Sequence, residues 1–117
     1  MITDQGKNII VGAMSDVLNY AALGSDNTVN SGSEVSLGSE YGRTRRPFDS
    51  VNVLQNSVEF TMILPSTEPS GLQPCTFREL GVFTGSPTGS MFSRSTFYNV
   101  DKNDNLEYQT IMQVRVE

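Results

Sequence analysis

The feature that most constrains this chain is the pairing of Cys75-Thr-Phe-Arg-Glu-Leu-Gly-Val-Phe83 with Gly89-Ser-Met-Phe-Ser-Arg-Ser-Thr-Phe97. Both runs carry residues that favour strands, and Thr84-Gly-Ser-Pro-Thr-Gly89 between them is built from turn formers. Charges sit inside both: Arg78 and Glu79 in the first, Arg94 in the second. A charge in a buried strand is costly unless it is paired. The pattern therefore predicts two central antiparallel strands in which Glu79 forms a salt bridge with Arg94 or Arg78. Such a pair would act as a structural lock on register, because a one-residue slip moves every side chain to the other face. Strict alternation puts Cys75, Phe77, Glu79, Gly81 and Phe83 on one face and Thr76, Arg78, Leu80 and Val82 on the other. Gly81 suggests a bulge or a close backbone approach. In the second strand Phe92, Arg94, Thr96 and Tyr98 share a face.

The rest of the chain reads as elements laid against this pair. Residues 3–17 predict a helix capped by Thr3 or Asp4, with Ile9, Ile10, Ala13, Met14 and Val17 along one face. Gly6 and Gly12 weaken it by up to about 1 kcal/mol each, so it needs a partner surface. That surface is either the end of its own sheet or a neighbouring subunit. Residues 18–23 form a short strand. Residues 28–42 form a long polar loop with Val29, Val35 and Leu37 as apolar anchors; loops of this length commonly contact partners. Residues 46–54 and 57–64 form a hairpin, and Val58, Phe60, Met62 and Leu64 alternate with Glu59, Thr61 and Ile63. Residues 66–74, with Pro69, Gly71 and Pro74, cannot continue a ladder and are expected to cross between sheets or edges. A last strand, 106–116, alternates again. The sum is one domain over residues 1–117, with a helical arm (1–17) and a β core (18–117). It is a mainly β protein, a small antiparallel β-sandwich or barrel with one N-terminal helix.

Composition narrows the chemistry. The chain has no histidine and one cysteine, Cys75. No intrachain disulfide, no Cys/His zinc site and no Ser–His or Cys–His catalysis is available to it. Cys75 reads as a small buried hydrophobe. Asp101-Lys-Asn-Asp-Asn105 has alternating oxygen donors but lacks the glycine and distal glutamate of a calcium loop, and reads as an Asx-rich turn. Neither catalytic residues, metal ligands nor a cofactor site is expected. The net charge of −5 argues against a nucleic-acid partner. No apolar run approaches the roughly 20 residues that span a bilayer, and no secretory signal opens the chain. Membrane association is not expected, and assembly in a cytoplasm is. Three of the eight basic residues, Arg43, Arg45 and Arg46, fall close together. They pair with local acids or anchor an acidic partner surface.

Three features in order suggest a family. They are Thr3-Asp-Gln-Gly-Lys-Asn-Ile-Ile10 leading to Ala21-Ala-Leu-Gly24; a Ser/Thr/Asn-rich loop leading to Tyr41-Gly-Arg-Thr-Arg45; and Phe77-Arg-Glu-Leu-Gly-Val-Phe83 with Ser90-Met-Phe-Ser-Arg-Ser-Thr-Phe97. Nearly the whole chain resembles short virion structural proteins of tailed bacteriophages, described as tail-fibre-like or minor structural proteins. Tail-collar fibre proteins carry a similar Arg-Glu-Leu-Gly-Leu-Phe strand. The polar, glutamate-bearing loop 30–40 departs from the pattern. The resemblance implies a non-enzymatic virion protein. A compact chain without a repetitive shaft suits a capsid decoration (cement) protein bound at junctions of the major capsid protein, as a homotrimer on threefold positions. The alternative is a small tail or baseplate adaptor. The contact residues expected on this reading are Ile2, Ile9, Ile10, Met14, Arg43, Arg45 and Arg46. A host-glycan-binding module is a further possibility, with Tyr41 as its best aromatic.

Overall fold

A computed structural model describes residues 1–86 and 88–117. Pro87, part of the predicted turn 84–89, lies outside the described residues. The elements are helix α1 (Asp4–Val17) and strands β1 (Tyr20–Gly24), β2 (Arg46–Pro47), β3 (Ser50–Val53), β4 (Ser57–Leu64), β5 (Cys75–Phe83), β6 (Met91–Lys102) and β7 (Tyr108–Arg115). They form two antiparallel sheets, one ordered β2-β1-β5-β6 and the other β3-β4-β7. The protein is a small β-sandwich with one helix, as the residue pattern predicts.

The core is the seam between the sheets. Ala21, Leu23, Phe77 and Leu80 of the four-stranded sheet meet Met62 and Leu64 of the other, and Val82 meets Val58 and Phe60. The alternation read in residues 57–64 is realised in full: Val58, Phe60, Met62 and Leu64 are all buried, and Phe60 pairs with Met112 of β7. Residues 65–74 cross from β4 in one sheet to β5 in the other, as expected of a segment that cannot continue a ladder.

Three expectations are corrected. Residues 46–54 are not one strand but two, β2 and β3, in different sheets. Pro47 has no N–H to extend a ladder, and the Asp49 carboxylate takes the Ile63 amide at 2.6 Å, so the chain turns at Phe48-Asp49 and changes sheet. Next, the ladder between β5 and β6 slips between Phe77 and Glu79. This bulge lies at Arg78, and a second shift follows between Val82 and Phe83, just beyond Gly81. The Arg78 bulge reverses the faces beyond it, so that Cys75, Phe77, Leu80 and Val82 point into the seam while Phe83 packs with Ala22 and Leu37 on the other side. Last, α1 is not rotated as the Ile9/Ile10 stripe implies. Thr3 caps it, its hydroxyl oxygen accepting the Gly6 amide at 3.0 Å. The docked residues are Val11 and Leu18, with Met14 beside them. Leu18 closes the helix only two residues before β1, and this short connection sets which stripe meets the sandwich.

Candidate functional site

The most organised polar feature lies on the outer face of the four-stranded sheet. The Arg78 bulge turns Glu79 outward there, opposite Thr96, while Gly81 pairs with Arg94. Neither side chain reaches water: Glu79 is fully buried and the Arg94 side chain is 4% exposed. What covers them is the loop of residues 25–40. Glu79 Oε1 accepts Arg94 Nε at 2.9 Å and the Gly38 amide at 2.9 Å. Its Oε2 accepts the amides of Ser39 at 2.8 Å and Asp26 at 3.1 Å. Arg94 donates onward to the carbonyls of Thr28 (2.8 Å) and Asp26 (3.1 Å) and to Asn30 Oδ1 at 2.6 Å. The buried pair is therefore the anchor of the loop. Four donors satisfy the carboxylate and three oxygens outside the pair take up the guanidinium, the condition under which buried charges are tolerated.

The loop's ends are tied together as well. The Ser25 amide donates to the Ser39 carbonyl and the Tyr41 amide to the Leu23 carbonyl, at 3.0 and 2.9 Å. The buried Thr44 hydroxyl donates to the Tyr41 carbonyl at 2.7 Å and accepts the Leu23 amide at 3.1 Å. Such a closed surface loop is compact by its own contacts. Two glycines make the approach possible. A Cβ on Gly24 would collide with the Glu79 carboxylate and the Ser39 carbonyl, and one on Gly38 with the Asp26 side chain. Leu37 is the loop's only anchor of the three expected, packing on Ala22 and Phe83. Val29 and Val35 are instead 85% and 83% exposed. Leu37 also lies over Gly81, where a Cβ would stand 3.0 Å from its Cδ2, so the close backbone approach expected there is present.

The expected ion pair is present between Glu79 and Arg94, without Arg78. Arg78 sits at the bulge, where its Nε donates to Asn99 Oδ1 at 2.7 Å. The basic cluster separates into three environments. Arg45 is drawn into the fold: its guanidinium lies 3.7 Å from the centre of the Phe83 ring, donates to both Glu40 carboxylate oxygens at 2.7 and 3.1 Å, and reaches the Gly85 carbonyl. Only 13% of its side chain is exposed, and these contacts hold it within the domain. Arg46 Nε is buried without a hydrogen-bond partner among the described residues. Arg43 alone is widely exposed, 3.6 Å from Glu68.

Of the four apolar arm residues, Ile2, Ile9 and Ile10 face solvent, while Met14 packs on the core. Ile9 is 72% exposed. Val17, the β3 edge residues Val51 and Val53, and Leu54 just after β3 are partly exposed too. The helix is thus a docked element that presents a second apolar stripe outward. Tyr41, the aromatic considered for glycan stacking, packs edge-on against Phe77 with ring centres 5.7 Å apart and is not a free platform.

Two further sites had little signal in the sequence. Lys102 is 2% exposed and its ammonium donates to the Gln73 side chain at 2.7 Å and to the carbonyls of Ser66 (3.1 Å) and Asn103 (3.3 Å). It closes the 65–74 crossing onto the β5–β6 ladder, where it pairs with Cys75. Burial holds its pKa below the usual lysine value, partly offset by Cys75, Asp104 and Glu68. Burial likewise raises the Cys75 thiol, consistent with an inert buried side chain. The second is Glu34 at the loop tip, whose carboxylate accepts the amides of Ser31 and Gly32.

Among the described residues no three His, Cys, Asp or Glu side chains gather as a metal-binding set, and no helix is long and apolar enough to cross a membrane. Set against known proteins, the chain matches no family model and no curated protein.

Proposed function

We propose that this protein is a non-enzymatic structural subunit of a tailed-bacteriophage virion, assembled in the host cytoplasm. On this reading it is a capsid decoration (cement) protein that binds as a homotrimer at junctions between major capsid subunits. The observation that carries the proposal is the second apolar stripe of α1. Val11 and Leu18 dock the helix on its own sandwich, yet Ile2, Ile9, Ile10 and Val17 remain exposed, as do Val51, Val53 and Leu54. An outward face of the helical arm lined by Ile2, Ile9, Ile10 and Val17 is the kind of exposed apolar surface that a partner covers. A protein that binds only the assembled shell stabilises it by mass action, which is the physical content of cementing. The sequence resemblance supplies the kind of partner.

The test is co-sedimentation of the purified protein with shells that lack it, using the wild type, Ile9→Asp and Arg43→Glu. The wild type sediments with shells, Ile9→Asp does so much less, and Arg43→Glu is weakened. Wild-type protein left in the supernatant, or Ile9→Asp binding like wild type, overturns the proposal.

A second reading, a tail, baseplate or fibre-attachment adaptor, is favoured by one observation. The strand that resembles tail-collar fibre proteins, Phe77-Arg-Glu-Leu-Gly-Val-Phe83, is here the strand whose glutamate anchors the 25–40 loop. That reading makes the loop, rather than the helix, the principal contact.

A further inference from the structure

We propose that the tip of the 25–40 loop and the adjoining start of β6 form a recognition groove for a lysine or arginine side chain carried on an apolar-flanked segment of a partner protein. The proposal rests on the assembly reading above only for the existence of such a partner. The groove has a volume of about 280 Å³ and is lined by Asn30, Glu34, Met91, Phe92, Ser93 and Arg94, among others.

Charge is the first argument. The Glu34 carboxylate is half-buried, gripped by the backbone amides of Ser31 and Gly32, and pairs with no cation among the described residues. The Ser31 amide, above all, holds its pKa below the ordinary glutamate value, so it is ionised at neutral pH. The cation in the groove wall, Arg94, does not compete. Its guanidinium is committed to Glu79, Asn30 and two carbonyls, and its side chain is 4% exposed. With Arg94 balanced by Glu79 and flanked by Asp26 at 3.8 Å, the groove presents net negative charge to an incoming group.

The second argument is the surroundings of that charge. Phe92 is 48% exposed and contributes an aromatic wall, against which ammonium and guanidinium groups are attracted. Met91 adds apolar lining beside Phe92, and Val29 and Val35, next in sequence to the lining residues Asn30 and Glu34, are the most exposed valines of the chain. A basic side chain flanked by apolar residues matches this arrangement; an acidic or purely polar segment does not.

The third argument is order. A loop tip that had to fold on binding would lose part of the contact energy to entropy. This one is held from beneath by the Glu79–Arg94 anchor: Asn30 accepts from Arg94 through Oδ1 and donates from its Nδ2 to the Arg94 carbonyl at 2.9 Å. The groove stands formed before a partner arrives.

The experiment is an NMR titration of isotope-labelled protein with acetyl-Leu-Lys-Leu-amide, with acetyl-Leu-Gln-Leu-amide and spermidine as comparisons. The lysine peptide shifts amides of residues 30–34 and 91–94 saturably, and binds at least about tenfold more tightly than the glutamine peptide. Glu34→Gln removes that difference. Phe92→Ala weakens lysine-peptide binding and keeps a residual preference for lysine. Unchanged amides at residues 37–40 show that each variant keeps the loop base. Equal binding of the two peptides, an unaltered response in Glu34→Gln, or shifts centred elsewhere overturn the proposal. Spermidine binding as tightly as the lysine peptide overturns the protein-segment occupant. The titration uses isolated protein, so its failure removes the groove alone; absence of the protein from phage particles removes the virion reading alone.

Discussion

Replacing Glu79 with alanine removes the acceptor of four hydrogen bonds at once: from Arg94 Nε and from the amides of Gly38, Ser39 and Asp26. Hydrogen bonds to a charged group are worth about 1.5–3 kcal/mol each, which would sum to roughly 6–12 kcal/mol if nothing relaxed. Relaxation is available, because the covering loop lies at the surface and water can enter as it lifts. Removing one partner of a buried pair typically costs about 3–5 kcal/mol, and that is the loss expected here. With a urea slope of about 2 kcal/mol per molar, the midpoint falls by about 2 M. The loss also has a location. In hydrogen exchange the amides of Asp26, Gly38 and Ser39 lose protection ahead of the sheet, because their acceptor is gone while the seam between the sheets is untouched. Glu79→Gln keeps the shape and one acceptor oxygen, so it loses less. Pairing each change with Arg94→Met in a double-mutant cycle measures the coupling directly. A Glu79→Ala variant within about 0.5 kcal/mol of wild type, or one whose loop amides stay as protected as before, would refute the anchor.

Gly38→Ala places a methyl group against the Asp26 side chain and should cost about 1–3 kcal/mol, read by chemical denaturation with loop shifts in the NMR spectrum. Val11→Ala should cost about 2 kcal/mol, since Val11 is the one fully buried residue of α1, whereas Ile9→Ala should stay within about 0.5 kcal/mol. Lys102 gives a pH signature. Its folded pKa is depressed by burial, so the unfolded chain binds the proton more tightly, and wild-type stability rises with pH between the folded value and the usual lysine value near 10.5. In Lys102→Met this alkaline gain is absent. Tyr108, whose pKa is raised by burial, contributes with the opposite sign in both chains and cancels in the difference. Parallel denaturation curves of the two proteins at pH 7 and pH 10 check it, and an identical change in both would sink it.

Much of the fold was legible because it is written in side-chain period. β4 and β7 alternate without interruption, and both the elements and their burial follow. Where backbone geometry breaks the period, sequence reading fails at that residue and beyond it. The bulge at Arg78 is one such place: alternation puts Glu79 on the face of Phe77, and the register shift between Phe77 and Glu79 puts it on the opposite side. That Glu79 needs a cation was legible, since a buried carboxylate must be paired, but the sequence left Arg78 and Arg94 both open, and the bulge removes Arg78. The division at Phe48-Asp49 depends on a carboxylate capping an amide fourteen residues further along the chain. The helix offers two apolar stripes, and only the position of Leu18 relative to β1 selects between them. The loop tip is the least legible part. Nothing in Ser31-Gly-Ser-Glu34 says that Glu34 folds back on its own backbone, nor that the valines beside it are left in solvent.

The most direct test of the virion proposal is the number of copies of this protein in purified phage particles, counted by quantitative mass spectrometry against the major capsid protein. The decoration reading predicts hundreds of copies in a fixed ratio to capsid subunits. A few dozen or fewer moves the protein to the tail or baseplate, and particles that contain none of it contradict the proposal.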